Sequence, residues 1–156
     1  MSKKDSAQVK TIPPLIPAIF IVMAWALNKY IYEMPIPLAV NVQLIIAYVI
    51  MPIAVVLFSF SLYFFITQKQ NPDPHTPTNA LYTRGIFRVT RNPIYLGFLL
   101  AQTVVAIKLN NFYIILSLPL TIILLNKWII EPEESYLEKV FGQEYLDYKQ
   151  KVRRWL

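Results

Sequence analysis

Two polar motifs interrupt a chain dominated by apolar side chains, and their residue types could support chemistry. The first motif is RNPIYLG at residues 91–97, and the second is the acidic pair Glu133 and Glu134, about forty residues later. Each motif lies at the end of an apolar run of membrane length. Charged groups at that depth are costly and are kept for a function. The motifs therefore predict a polar, charged pocket at one face of a bilayer.

The composition of the chain is that of a membrane protein. Of the 156 residues, 56% are hydrophobic and 15% are charged, whereas a soluble domain has about 25% charged residues. The absence of cysteine excludes disulfides, thiolate catalysis and cysteine-metal sites. The single histidine, His75, cannot build a histidine metal cluster, so we expect no metal site.

Charge-poor apolar segments predict an all-α, polytopic membrane protein with about four transmembrane helices. A spanning helix needs roughly 17–25 residues, and the third segment is short. Only a few residues around Asn110 and Asn111 separate the last two helices, which therefore form a hairpin. The predicted spans are residues 11–32, 42–67, 93–109 and 112–130. With a loop at 68–92 and a tail at 133–156, they form one domain, residues 1–156.

The distribution of positive charge orients these helices. Of the 15 Lys and Arg residues, all except Lys29 and Lys108 lie in the N-terminal segment, the middle loop or the C-terminal region. The positive-inside rule places those three regions, and both motifs, on the cytoplasmic side. The net charge of +6 is then a topology signal that also attracts anionic lipids. We expect membrane lipids as partners and no nucleic acid, and a prokaryotic cytoplasmic membrane suits so short a chain.

Individual residues outside the spans indicate where helices begin, end or break. Asn92 and Pro93 open the third helix as an N-cap residue and a proline at the first helical position. Pro132 is expected to end or kink the fourth helix, which leaves the acidic pair in the first turn of a new one. The tail is amphipathic and predicts a cytosolic helical cap, with a break at Gly142. Its apolar residues are Leu137, Phe141, Tyr145, Tyr148, Val152 and Trp155.

Two stretches carry a family resemblance. Residues 81–97, LYTRGIFRVTRNPIYLG, and residues 133–148, EESYLEKVFGQEYLDY, resemble conserved segments of the integral-membrane methyltransferases. These enzymes are the isoprenylcysteine carboxyl methyltransferases and the phospholipid N-methyltransferases. The resemblance covers roughly residues 40–156. It implies S-adenosylmethionine as methyl donor, S-adenosylhomocysteine as product, and a lipid-like or prenylated acceptor methylated on a carboxyl oxygen or an amine nitrogen.

The resemblance also implies where the donor binds. By position, the implied cofactor contacts are Asn79, Ala80, Leu81, Tyr82, Phe87, Asn92, Pro93, Ile94, Tyr95 and Glu133. The chemistry of these groups is compatible, because helix-start amides suit a carboxylate, a glutamate suits an ammonium, and aromatic rings suit adenine or a sulfonium. If the acceptor must lose a proton, Glu134 or Glu131 is the expected base. Arg91 is expected to brace the acidic pair.

Two departures from the family pattern bear on the acceptor. The carboxyl methyltransferases have histidine at the position of Asn92. The asparagine here resembles the NPxY form of the phospholipid enzymes. Ile129 stands where the carboxyl methyltransferases have an arginine that helps to hold the acceptor. Both departures weaken the case for a prenylcysteine carboxylate as the acceptor, and they leave the donor site largely intact. An NADPH-dependent reductase with a related helical core and a non-catalytic membrane scaffold are the alternative functions.

Taken singly, each motif residue also has a structural explanation. Asn92 and Pro93 form an ordinary helix start, Tyr95 suits a membrane interface, and the acidic pair suits a helix dipole. Gln102 and Asn126 are expected to form hydrogen bonds between helices. The joint pattern of both motifs favours a functional site. The sequence leaves the oligomeric state open.

Overall fold

The computed structural model describes residues 6–67, 78 and 80–156, and these residues form a bundle of α-helices. The helices are α1 Leu15–Tyr30, α2 Val40–Thr67, α3 Pro93–Lys108, α4 Phe112–Leu125, α5 Glu131–Phe141 and α6 Gln143–Lys151. A 3₁₀ turn at Gly85–Arg88 precedes α3, and a π turn at Asn126–Ile130 joins α4 to α5. No strand occurs in the described parts of the chain, which confirms the all-α prediction. The proline-rich part of the predicted middle loop, residues 71–77, lies outside the described residues.

Two helical stretches are long and apolar enough to cross a membrane, namely Val40–Thr67 and Phe112–Phe141. The apolar helices α1 and α3 have 16 residues each, or about 24 Å at 1.5 Å per residue. That is shorter than a hydrocarbon core of about 30 Å. Most large apolar side chains of α2 are exposed, Tyr48 by 76% and Ile66 by 74%. An apolar surface of this extent indicates contact with a membrane rather than with water.

Close packing and a buried hydrogen bond bring α2, α3 and α4 together. Gly97 of α3 lies against the ring of Phe58 in α2, and a Cβ there would lie 3.0 Å from Phe58 Cε2. Gln102 Nε2 donates to Ser117 Oγ of α4 at 2.9 Å, so its predicted interhelical hydrogen bond is confirmed. The same prediction is wrong for Asn126, whose Oδ1 is buried without a hydrogen-bond partner.

The turn between α3 and α4 is tied to α1, to the segment before α2 and to the first turn of α2. Asn110 has a positive φ of 46° and accepts hydrogen bonds through Oδ1 from Ile36 N and Gln43 Nε2. Asn111 Nδ2 donates to the carbonyl of Ala24 in α1 at 3.1 Å. The predicted hairpin is therefore confirmed, and α1 is bound to it at the end of the bundle opposite both motifs.

The helical stretch that begins at Phe112 continues to Phe141, but its regular α-helix is interrupted before Pro132, and α5 begins at Glu131 with the acidic pair in its first turn, as predicted. The irregularity lies just before the proline, in the π turn Asn126–Ile130. In a regular α-helix the Trp128 carbonyl would accept from residue 132, but proline has no N–H. The backbone N–H of Lys10 donates to that carbonyl at 3.0 Å. The N-terminal segment thus supplies the hydrogen bond that the proline removes.

Two clusters of buried side chains meet at the end of the bundle that carries the motifs. The first joins α1, α3, α4 and the π turn through Ile16, Tyr95, Leu99, Leu125, Ile129 and Ile130. The second packs α6 against the 3₁₀ turn through Phe87, Tyr145, Tyr148 and Val152. Gly142, with φ at +54°, separates α5 from α6 and confirms the predicted break. This bend returns the apolar face of α6 toward the start of α3.

Candidate active site

Residues 91–95 of the first motif and both acids of the second line one open cavity between the start of α3, the 3₁₀ turn and helices α5 and α6. Its empty space is about 910 Å³, with open solvent at the mouth included. The lining residues that the sequence predicted are Ala80, Leu81, Tyr82, Phe87, Arg91, Asn92, Pro93, Ile94, Tyr95, Glu133 and Glu134. Asn79, the remaining predicted contact, lies outside the described residues. Side chains as far apart in the chain as Ala80 and Glu134 therefore border one cavity.

The start of α3 forms one wall of the cavity. Asn92 is the N-cap residue and Pro93 is the first helical residue, as predicted. The Asn92 side chain does not cap the helix, because its Nδ2 donates to the Arg154 carbonyl at 3.0 Å. Ile94, in the first turn, also lines the cavity. The first amides of a helix lack intrahelical acceptors, and the helix dipole favours an anion beside them.

Glu133 lies across the cavity from the start of α3 and is bound to it. The hydroxyl of Tyr95, which is buried, donates to Glu133 Oε1. Within the described ranges, no Lys or Arg forms an ion pair with Glu133. The carboxylate thus borders the cavity with one hydrogen-bonded oxygen and without a described cation. Such a group can bind a cationic ligand.

Glu134, its neighbour in sequence, has a different environment. It is 5% exposed, and its Oε1 lies 3.0 Å from Arg91 Nη2 and 3.1 Å from Arg154 Nε. Its Oε2 lies 2.7 Å from Arg154 Nη2. Both oxygens are therefore engaged by guanidinium donors, whereas a base must reach the proton that it removes. The predicted contact of Arg91 with the acidic pair is present for Glu134.

An aromatic wall closes the side of the cavity nearest the 3₁₀ turn. The rings of Tyr82 and Phe87 stack with centroids 5.5 Å apart and planes at 28°. The rings of Phe65 in α2 and Tyr82 meet edge to face, with centroids 5.3 Å apart. All three residues line the cavity. This wall presents π surface on which a flat heterocycle or a cation can be held.

Gly85 allows this wall to form. Its φ is +59°, in the left-handed region that favours glycine. A Cβ at this position would lie 2.5 Å from Phe64 Cε2 of α2. The ring of Phe64 in turn meets that of Phe87 edge to face at 6.1 Å. Glycine is required at this position both by the backbone conformation and by the approach of α2.

Two tyrosines of α6 lie beneath the cavity. Tyr145 is 2% exposed and Tyr148 is 7% exposed, and the Tyr148 hydroxyl donates to the Phe87 carbonyl at 2.6 Å. Burial raises the pKa of both phenols, so both stay neutral at physiological pH. They act as packing and hydrogen-bonding groups, in agreement with the packing role that the sequence indicated.

Sequence reasoning missed several lining residues. Tyr136, Leu137, Tyr145 and Tyr148 border the cavity, although the tail pattern identified only the last three, as members of an apolar helix face. Thr78, Ala7 and Phe65 also line it and carried no signal in the sequence. Ile129, the residue in place of the family's arginine, is fully buried in the first core cluster and is not among the described lining residues.

Sequence comparisons relate the chain to known proteins. The phospholipid methyltransferase family matches residues 37–144, more than half of the chain. A protein of Haemophilus influenzae described as uncharacterized is 44% identical over 63 residues, which is 40% of this chain and 100% of that protein.

Two curated relatives carry a named activity. Protein-S-isoprenylcysteine O-methyltransferase of Schizosaccharomyces pombe is 32% identical over 87 residues, 56% of this chain and 35% of the relative. Protein-S-isoprenylcysteine O-methyltransferase B of Arabidopsis thaliana is 31% identical over 74 residues, 47% of this chain and 38% of the relative. This chain therefore matches little more than a third of each named relative. No solved structure matches the chain significantly. On its shared sequence, the chain belongs to the phospholipid methyltransferase family.

Proposed function

We propose that this protein is an integral-membrane methyltransferase that takes its methyl group from S-adenosylmethionine and delivers it to a lipid-like or prenylated acceptor. One observation carries the proposal. Every described residue that the sequence assigned to the donor site borders one cavity, although they come from residues 80–82, the 3₁₀ turn, the start of α3 and α5. The family match supports methyl transfer as the reaction class.

The chemistry of the cavity suits this donor. Glu133 borders the cavity and has no described cation as partner, so it can bind the ammonium of the amino-acid end. The first turn of α3 suits the carboxylate of the same end. The stacked rings of Tyr82 and Phe87 suit the adenine or the sulfonium. The carboxylate, the ammonium and the adenine of the donor would each meet a complementary group that borders the cavity.

The acceptor is proposed from the surroundings of the cavity. Large apolar side chains of α2 and α4 are exposed along their length, which suits a hydrocarbon environment. We infer a bundle with about four membrane crossings, in which α1 and α3 need their flanking residues to complete a span. The cavity would then face the cytoplasm, with both termini on that side and α5 and α6 as its cytosolic cap. A lipophilic acceptor would enter from the bilayer, and its methylated atom can be a carboxyl oxygen or an amine nitrogen.

The roles of the residues follow from their contacts. The bound donor supplies a methyl group already activated by its sulfonium. The protein needs to align donor and acceptor and to exclude water, for which the aromatic wall and the buried tyrosines are suited. Since both oxygens of Glu134 are engaged, we assign Glu134 and Arg91 to holding the shape of the site rather than to removing a proton. Glu134→Gln tests this assignment, because loss of a base would change the pH profile of the rate.

Donor binding to the detergent-purified protein is the decisive measurement. Calorimetry should show saturable binding of S-adenosylmethionine and S-adenosylhomocysteine and no binding of NADPH. Glu133→Ala should weaken binding about 10- to 150-fold, because a hydrogen-bonded charge pair contributes about 1.5–3 kcal/mol. Glu138→Gln is the matched control, since Glu138 lies on the same helix, is absent from the lining of the cavity and pairs with Lys149.

The outcomes separate the three hypotheses. Binding that Glu133→Ala weakens and Glu138→Gln leaves intact supports the donor site and justifies a screen of lipid acceptors with labelled methyl groups. Binding of NADPH in place of the adenosyl ligands would favour a reductase. A folded protein that binds neither would be a scaffold, and the methyltransferase proposal would be withdrawn.

A further inference from the structure

The last five residues of the chain return to the start of α3. Residues 152–156, here called the C-terminal strap, follow α6, and Val152 at their start has extended backbone angles. The backbone N–H of Arg91 donates to the Arg153 carbonyl at 3.1 Å. Thr90 Oγ1 and Asn92 Nδ2 both donate to the Arg154 carbonyl, at 3.1 and 3.0 Å. Two consecutive carbonyls of the strap thus bind three consecutive residues at the cavity wall.

The strap is anchored on both sides of these hydrogen bonds. Val152 belongs to the buried cluster that contains Phe87 and Tyr148. Trp155 packs against the other buried cluster, which contains Tyr95. Because the two anchors lie in different parts of the core, the carbonyls between them are held in place relative to both walls of the cavity. The strap also lies outside the residues that match the family, 37–144.

The side chain of Arg154 extends the same connection to α5. Its Nε and Nη2 bind the two oxygens of Glu134 at 3.1 and 2.7 Å. Its Nη1 lies 3.8 Å from Glu131 Oε1. The bond to Glu134 raises the pKa of Arg154 further, so the guanidinium stays charged. Glu134 Oε1 also pairs with Arg91, so Arg154 is linked to Arg91 through a shared carboxylate.

One residue therefore holds two walls of the cavity through two different groups. Its carbonyl binds the side chain of Asn92, and its guanidinium fixes Glu134. Arg154 is not itself among the described residues that line the cavity. We propose that Arg154 is a positioning residue of the donor site, which sets the places of Asn92, Arg91 and Glu134 without touching the donor. This inference rests on the proposed donor site.

The test compares two adjacent arginines of the strap. Arg154→Gln should weaken S-adenosylhomocysteine binding and raise the KM for S-adenosylmethionine, each at least about tenfold, since small misplacements of a binding group carry costs of that order. Arg153→Gln should leave both within about twofold of wild type, because the Arg153 side chain is exposed and its described contact is a 3.5 Å bond to Leu156 O. Arg154→Lys should recover part of the affinity, since lysine keeps the charge and loses the two-pronged geometry.

A double substitution distinguishes positioning from general stabilisation. If Arg154 acts through Glu134, then Glu134→Gln and Arg154→Gln together should weaken binding no more than the worse single variant. Thermal midpoints are recorded for every variant, and affinities are measured where each protein is folded. If Arg154→Gln is not folded at any usable temperature, Arg154→Lys against wild type carries the comparison.

Each outcome decides the matter. Weaker binding by Arg154→Gln, with intact binding by Arg153→Gln, supports the inference. A lower thermal midpoint with binding within about twofold of wild type would overturn it and leave Arg154 as a stabilising residue only. Wild-type protein that is folded and binds no S-adenosylhomocysteine would overturn the donor site and this inference together.

Discussion

The substitution Gly85→Ala tests whether the close approach of α2 to the 3₁₀ turn is needed for the aromatic wall of the cavity. The substitution adds a Cβ at a residue whose φ is +59°. That atom would lie 2.5 Å from Phe64 Cε2 and 2.6 Å from Phe64 Cζ, well inside van der Waals contact. The Phe64 ring must move, and it contacts Phe87, which lines the cavity. The change should therefore lower both stability and donor affinity.

Gly142→Ala is the control for the free-energy cost of placing a Cβ on a residue with a positive φ. Gly142 has nearly the same φ, +54°, but a Cβ there would meet no atom within 4 Å. A positive φ costs a residue with a Cβ about 1–3 kcal/mol, and at Gly142, where ψ is −125°, this backbone strain is the whole cost expected. Overpacking adds about 1–3 kcal/mol at Gly85, for a total of about 2–6 kcal/mol. A greater loss of stability at Gly85 than at Gly142 is the effect expected from the contact with Phe64.

Thermal unfolding and S-adenosylhomocysteine titration measure the two effects. For a chain of this length, 1 kcal/mol corresponds to about 2–4 °C in the unfolding midpoint. Gly85→Ala should melt below Gly142→Ala and bind the ligand more weakly, while Gly142→Ala should keep wild-type affinity. Equal midpoints for the two variants would refute the steric argument. A destabilised Gly85→Ala with unchanged affinity would refute the link from Phe64 to the donor site.

Two further predictions concern hydrogen bonds between segments of the bundle. Lys10→Pro removes the N–H that satisfies the Trp128 carbonyl near Pro132, and it should destabilise the protein by about 0.5–1.5 kcal/mol. Lys10→Ala keeps that N–H and should be near neutral, so equal thermal midpoints for the two variants would argue against this role. Ser117→Ala removes the acceptor of buried Gln102 Nε2 and should cost about 1–3 kcal/mol. Adding Gln102→Leu should restore most of that loss in the same thermal assay, and a further loss would contradict the argument.

The features that sequence predicts best are those encoded by neighbouring residues. The start of α3 follows from Pro93, because the preference of proline for the first turn acts locally, although the Asn92 side chain at the N-cap position does not cap the helix. The apolar face of the tail follows from the three- and four-residue spacing that brought Tyr145 and Tyr148 to the cavity. The break at Gly142 needed only the conformational freedom of glycine. Each of these signals is complete within a few residues.

The features that sequence missed depend on partners far along the chain. Pro132 indicated an end or a kink of the helix, but it did not indicate the π turn before it or the Lys10 N–H that satisfies the freed carbonyl. The acidic pair was recognised as one unit, yet successive residues of a helix point about 100° apart. Glu133 therefore meets Tyr95, whereas Glu134 meets two arginines, one of them in the strap. No local pattern assigns those partners.

The π turn has a consequence for how this site can arise or disappear. A π turn holds about one residue more than an α-helical turn, so side chains beyond it are rotated by about 100° relative to an uninterrupted helix. Deleting one residue within Asn126–Ile130 would turn Glu133 and Glu134 away from their partners without altering either acid. Insertion or deletion of a single codon can thus switch the site as completely as a substitution. Relatives that differ in length within this turn should be aligned with the gap inside it before residues on either side are paired.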